Sequence, residues 1–136
     1  MDNNSDHATA PRYKQVIVMR HDLGMRKGKQ IAQGAHAAMV FLTQKLRQNG
    51  HVALDDLTLA QRTWIEGSFA KVCVRVDSEE QLLAIEQRAR DAGLEVHVIT
   101  DSGRTEFHGV PTRTCLAIGP DEVSAIDAIT GALTLL

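Results

Sequence analysis

Four short apolar runs constrain what this chain can fold into: Tyr13–Arg20, Lys71–Val76, Glu95–Thr100 and Thr112–Ile118. Each reads as a strand, and the continuous apolar centre of the first predicts burial on both faces. The segments between them carry helix signals. One helix is expected from near Gly28 to Gln48, stopped by Asn49-Gly50. Thr58-Leu59-Ala60-Gln61 fits a capping box and opens a short helix ending at Gly67. Ser78-Glu79-Glu80-Gln81 opens another, which ends at Ala92 with Gly93 in the left-handed cap position. Gly119-Pro120 is expected to break the fourth strand and start a last helix near Asp121–Thr130.

Strands joined through helices run parallel by right-handed crossovers. The third and fourth are joined by the loop Asp101–Pro111 alone, which predicts an antiparallel pair. The expected class is therefore α/β: a single domain with a mixed four-stranded sheet flanked by helices on both faces. A length of 136 residues suits one domain. Residues 1–12 are polar and aperiodic and read as a disordered tail, leaving 13–136 as the domain.

In the long helix, Lys29, Gln33 and His36 follow i, i+4, i+7 and share one face. Ile31, Ala35, Ala38, Leu42 and Leu46 form another face, expected as core. The net charge of −2 does not mark a nucleic-acid binder. Its distribution is uneven: Arg12, Lys14, Arg20, Arg26, Lys27 and Lys29 fall in a span whose only acid is Asp22. Such a field suits a polyanion, against the plainer reading of a solvated charged loop. No signal peptide and no long apolar run are present, so a cytoplasmic protein away from membranes is expected. Cys73 and Cys115 lie in strand-like runs and read as buried free thiols. No CxxC, HExxH or other ligand spacing occurs, and neither metal nor cofactor is expected.

The predicted topology brings candidates to one rim. Parallel first and third strands both end there, at Arg20 and before Asp101, and an antiparallel fourth strand starts there at Thr112. Such strand-end crevices commonly bind ligands. Lys29 is a candidate anion or oxyanion partner, and Asp101 a general base or water-orienting carboxylate, against plain turn chemistry for Asp-Ser-Gly. His36 is catalytic or a satisfied buried histidine. Thr105, Thr112 and Thr114 offer hydroxyls, the last two facing the same side of a strand. Gly28-Lys29 is not a phosphate-binding loop, because Gln30 follows and position 23 is not glycine. There is no GxSxG.

The stretch KQVIVMRHDLGMRKGKQIAQGAHAA, then W-x-x-G before KVCVRVDSEEQLL, then DSGRTE, TRTCLAIGP and TGALTLL together resemble the archaeal and eukaryotic type of peptidyl-tRNA hydrolase. The resemblance covers Tyr13 to Leu136. It implies a metal-independent hydrolase, often a homodimer, that cleaves the ester between a peptide and the 3′ ribose of tRNA. It implies catalytic roles for Lys29, His36, Asp101, Thr105, Thr112 and Thr114. The basic rim, Arg20, Arg26 and Lys27, would contact tRNA phosphates. Three departures stand out: Gly24 where the family has lysine, Ser68 where it has glutamine, and Val110-Pro111 where it has Pro-Gly. The alternative is a non-catalytic module of the same fold that binds RNA or a protein.

Overall fold

The computed structural model describes residues 11–136. The tail expected over residues 1–12 falls almost wholly outside them. Within them, Arg12 carbonyl accepts the Val123 N–H at 2.9 Å, so the domain begins by that point.

Strand β1 (Tyr13–Arg20) leads into helix α1 (Lys27–Asn49), and α2 (Leu59–Glu66) follows a short 3-10 turn at Leu54–Asp56. Then come β2 (Lys71–Val76), α3 (Glu79–Asp91), β3 (Val96–Asp101), a 3-10 turn at Phe107–Gly109, β4 (Thr112–Glu122) and α4 (Val123–Thr130). The sheet order is β2-β1-β4-β3. β1 and β2 are parallel, and β4 is antiparallel to both β1 and β3. The predicted mixed four-stranded sheet is the one observed.

Local chemistry explains the helix ends. Thr58 Oγ1 accepts the Gln61 N–H and Gln61 Oε1 accepts the Thr58 N–H, a complete capping box. Ser78 Oγ accepts the Gln81 N–H, while Gln81 reaches back one residue further, to the Asp77 N–H. Gly50 ends α1 at φ 77°, the left-handed cap that glycine adopts without steric cost.

Alternation along the central strands builds two cores. Val16, Val18, Val74, Val76, Leu116 and Ile118 pack with Leu82, Ile85 and Ile126 on the α3/α4 face. Ile17, Met19, Ile99, Cys115 and Ala117 pack with Met25 and Ala37 on the α1 face. Phe41 and Trp64, edge to face with ring centroids 5.9 Å apart, join Tyr13 under α2.

Three expectations are corrected. The buried face of α1 is Gln33, Gly34, Ala37 and Phe41, not the face through Ile31, Ala35, Ala38, Leu42 and Leu46. Ile31 and Leu46 are exposed at 66% and 50%. The helix rests on β1 through its smallest residues: a Cβ at Gly34 would meet Ile17 and Met19 at 3.8 Å. Close approach, rather than apolar bulk, selects the face. Second, Gly119-Pro120 does not end β4. Lys14 pairs with Asp121 and Val16 with Ile118, so Gly119 and Pro120 together oppose Gln15 in a bulge, where the missing proline N–H is tolerated. The helix expected from Asp121 therefore begins at Val123. Third, Cys73 is exposed and only Cys115 is buried. Cys73 lies on strand β2 at the end of the sheet order, opposite Ile17 but beyond the cover that α1 gives its neighbour.

A second bulge matters more. Ile99 pairs with Cys115 and Thr100 with Arg113, which leaves Thr114 without a partner on β3. Two consecutive residues then face the same way: both Thr114 and Cys115 reach Gln33 of α1.

The two thiols are expected to react differently. Desolvation pushes the Cys115 thiol up to about 11. At pH 8 its thiolate fraction is then about one in a thousand. Iodoacetamide with intact-mass readout should add one adduct, at Cys73, and reach Cys115 only on unfolding; two adducts on the native protein would contradict this packing.

Candidate active site

α1, the β3 end and the loop after it converge at the rim where β1, β2 and β3 end and β4 begins. Lys29 stands in the first turn of α1. Its Nζ donates to Asp101 Oδ1 at 2.9 Å and to Thr105 Oγ1 at 2.7 Å. Asp101 is the last residue of β3, and its other oxygen, Oδ2, accepts the Gly103 N–H at 2.9 Å. Gln33, one turn after Lys29 and 7% exposed, places Nε2 3.4 Å from Asp101 Oδ1. Its Oε1 accepts the hydroxyl of the fully buried Thr114 at 2.5 Å. Lys29 and Asp101 side chains remain 14% and 12% exposed, enough for a small molecule or water to reach their outer atoms.

The loop that carries Thr105 is held tightly. Gly103 has φ 85°, and a Cβ there would lie 2.4 Å from the Val110 carbonyl oxygen, so only glycine fits. Gly103 carbonyl accepts the Gly109 N–H, and Arg26 Nε donates to Glu106 Oε1 at 3.0 Å, tying the loop to the start of α1. Thr112 pairs with Asp101 across the ladder, and its hydroxyl donates to the Val110 carbonyl. The departure Val110-Pro111 is accommodated here because Gly109, at φ 78°, supplies the turn. Gly24 likewise takes φ 62°, in a turn where its N–H donates to the His21 carbonyl. The third departure, Ser68, lies away from this rim, in the turn that joins α2 to β2.

The structure thus joins Lys29, Asp101, Thr105 and Thr114 in one network, with Thr112 alongside. His36 is exposed, one turn beyond Gln33, on the wall of a neighbouring groove. Arg20 lies on the opposite face of the sheet. It is 9% exposed, donates twice to Asp22 and once to the Arg113 carbonyl, and sits 3.6 Å from Glu79. Arg26 is 80% exposed in its side chain, and Lys27 is exposed too. Gln33 was visible in the sequence only as a face-mate of Lys29; its role as a link emerges from the bulge at Thr114. Arg104, exposed beside Thr105, adds a further cation to this side of the rim.

A family model described as Peptidyl-tRNA hydrolase PTH2 matches residues 13–136. The chain belongs to that family. It is 42% identical to a peptidyl-tRNA hydrolase of Methanocaldococcus jannaschii over 123 residues, covering 90% of this chain and 99% of the relative. A peptidyl-tRNA hydrolase of Halobacterium salinarum is also 42% identical, covering 90% and 98%. A probable peptidyl-tRNA hydrolase 2 of Dictyostelium discoideum is 38% identical, and there the match spans 54% of the longer relative. A solved structure of an Agrobacterium protein of unknown function shares the fold alone, with a TM-score of 0.50 at 14% identity, covering 93% of this chain and 99% of that one.

The hydrogen bond and charge of Lys29 hold the Asp101 carboxyl below the usual carboxylate range, helped by the Gly103 N–H and opposed by desolvation. Its folded value lies below its unfolded one, so this carboxylate stabilises the fold above the unfolded value, near 3.9, and the contribution disappears as pH falls through the folded value. Lys29→Met should therefore move the Asp101 titration upward, followed by NMR of the side-chain carboxyl. An unchanged titration would mean that Lys29 does not set it.

Proposed function

We propose that this chain hydrolyses the ester joining a peptide to the 3′ ribose of tRNA, releasing peptide and free tRNA. The observation that carries the reading is the Lys29–Asp101 pair with Thr105, fixed by Gln33 and Thr114 at a half-open rim. A carboxylate held in its ionised form is a weak base, so Asp101 acts chiefly by orienting water and accepting its proton as attack proceeds. The water oxygen bonds to the carbonyl carbon, the bond to the ribose oxygen breaks, and that oxygen takes up a proton. Lys29 has three N–H donors, two of them engaged, and the third stabilises the oxyanion that develops.

Thr114 acts through Gln33 as a positioning residue, and Thr112 fixes the loop to β4. Arg26 and Lys27, with Arg104, contact tRNA phosphates, which position RNA without reading its sequence. Arg20, engaged on the other face, supports the rim. The work of such an enzyme belongs in the cytoplasm, where peptidyl-tRNA arises. Homodimerisation is part of the proposal: Leu59, Phe69 and Leu135 are large and exposed, at 74%, 52% and 68%, and supply surface a second copy can cover.

Asp101→Asn is the central test. It keeps the shape but presents an amide N–H₂ to either Lys29 or the Gly103 N–H, at a cost of about 1–3 kcal/mol in stability. Single-turnover cleavage of peptidyl-tRNA should fall roughly 10²–10⁴-fold while tRNA binding holds. A folded variant that cleaves at the parent rate would sink the mechanism. Affinity for tRNA should also drop roughly tenfold between 50 and 200 mM salt if two or three phosphates are contacted; a flat titration would remove the phosphate contacts.

A further inference from the structure

α1 changes character along its length. At its start it carries Lys27, with Arg26 just before it; at Lys29 and Gln33 it meets Asp101; beyond Gln33 it borders a groove of about 680 Å³. Ala35, Met39 and Val40 of α1 form one wall, and Val98, Ile99 and Thr100 of β3 the other. The groove is continuous with the candidate active site, because Thr100 precedes Asp101 and His36 stands one turn after Gln33 at its near end. β3 ends the sheet order, so the outer side of its backbone carries no ladder. Such an edge can pair with an extended chain of any sequence.

We propose that this groove holds the peptide part of peptidyl-tRNA, extended along the free edge of β3 with side chains resting on Met39 and Val40. The ester has two sides, and the surface around Asp101 has two characters that match them. The polyanionic RNA suits the basic side towards Arg26, Lys27 and Arg104. The uncharged peptide suits the mostly apolar side. Main-chain pairing supplies affinity without side-chain preference, as an enzyme acting on many peptides requires. From Ala35 to Gln48 the helix rises about 20 Å, room for about six extended residues. Met39, which α1 turns outward into the groove, is then a substrate surface, and His36 sits where the first peptide residue leaves the ester.

This inference rests on the hydrolase reading, and its test separates the two. kcat/KM is measured for N-acetyl-peptidyl-tRNAs whose peptide grows from one residue to about six. The parent should gain roughly tenfold along the series, since contacts made by the added residues persist in the transition state. Met39→Glu, at a side chain 55% exposed, and Thr43→Arg, also on the groove, should each flatten that gain to within about twofold. If the parent cleaves the one-residue ester but shows no gain, or if both variants keep the full gain, the groove assignment is overturned and the hydrolase reading stands. If no member of the series is cleaved, both fall. Sedimentation run beside the kinetics covers the remaining occupant: a dimer lost in Met39→Glu with the length gain intact assigns the groove to a second copy and overturns the proposal.

Discussion

The carboxylate of Asp101 is the point on which the rim depends. One side chain accepts from Lys29 and Gln33 of α1 and from the backbone of its own loop, and through Gln33 it is connected to Thr114 on β4. The order of donors is forced. Thr114 donates to the Gln33 oxygen, so the Gln33 amide nitrogen must face Asp101. Each group is satisfied only if the next is in place, and in a partly desolvated setting a missing link leaves a polar group without a partner. Preorganisation at this site is therefore a property of the whole chain of bonds and not of the ion pair alone.

The two faces of the sheet divide the charged residues by task. On the α1 face, Lys29 and Asp101 remain open to solvent on one side. On the α3 face, Arg20, Asp22, Glu79 and Arg113 satisfy one another. The Arg20 guanidinium holds the Asp22 carboxyl below its usual range. Alternation along β1 and β4 sorts them, since Met19 and Thr112 point one way and Arg20 and Arg113 the other.

Much of this was legible in the sequence. Strand directions, the antiparallel β4 among them, and the caps at Thr58, Gly50 and Gly93 follow from local chemistry and connection length. Lys29, Asp101, Thr105 and Thr114 could be placed on one rim because strand direction alone sends their segments there. What the sequence concealed depends on contacts between segments. The buried face of α1 is marked by Gly34 and Ala37, whose small size gives little hydrophobic signal, while Ile31 and Leu46 give a strong signal for a face that stays outside. Arg20 reads as one more cation until the parity of β1 is fixed against α3. Cys73 reads as buried until β2 is known to lie at the end of the sheet. Gln33 has no motif of its own.

The bulge at Thr114 also determines which genetic changes this strand can absorb. Substitutions at Leu116 or Ala117 alter volume at one spot, and neighbours can adjust. Loss of a single codon between Thr112 and Cys115 would do something different in kind. It would restore a regular ladder in which the residues before it keep their present faces and β3 partners, and it would leave no side chain at the place now held by the Thr114 hydroxyl. In this part of β4 the site requires both the extra residue of the bulge and the hydroxyl it carries.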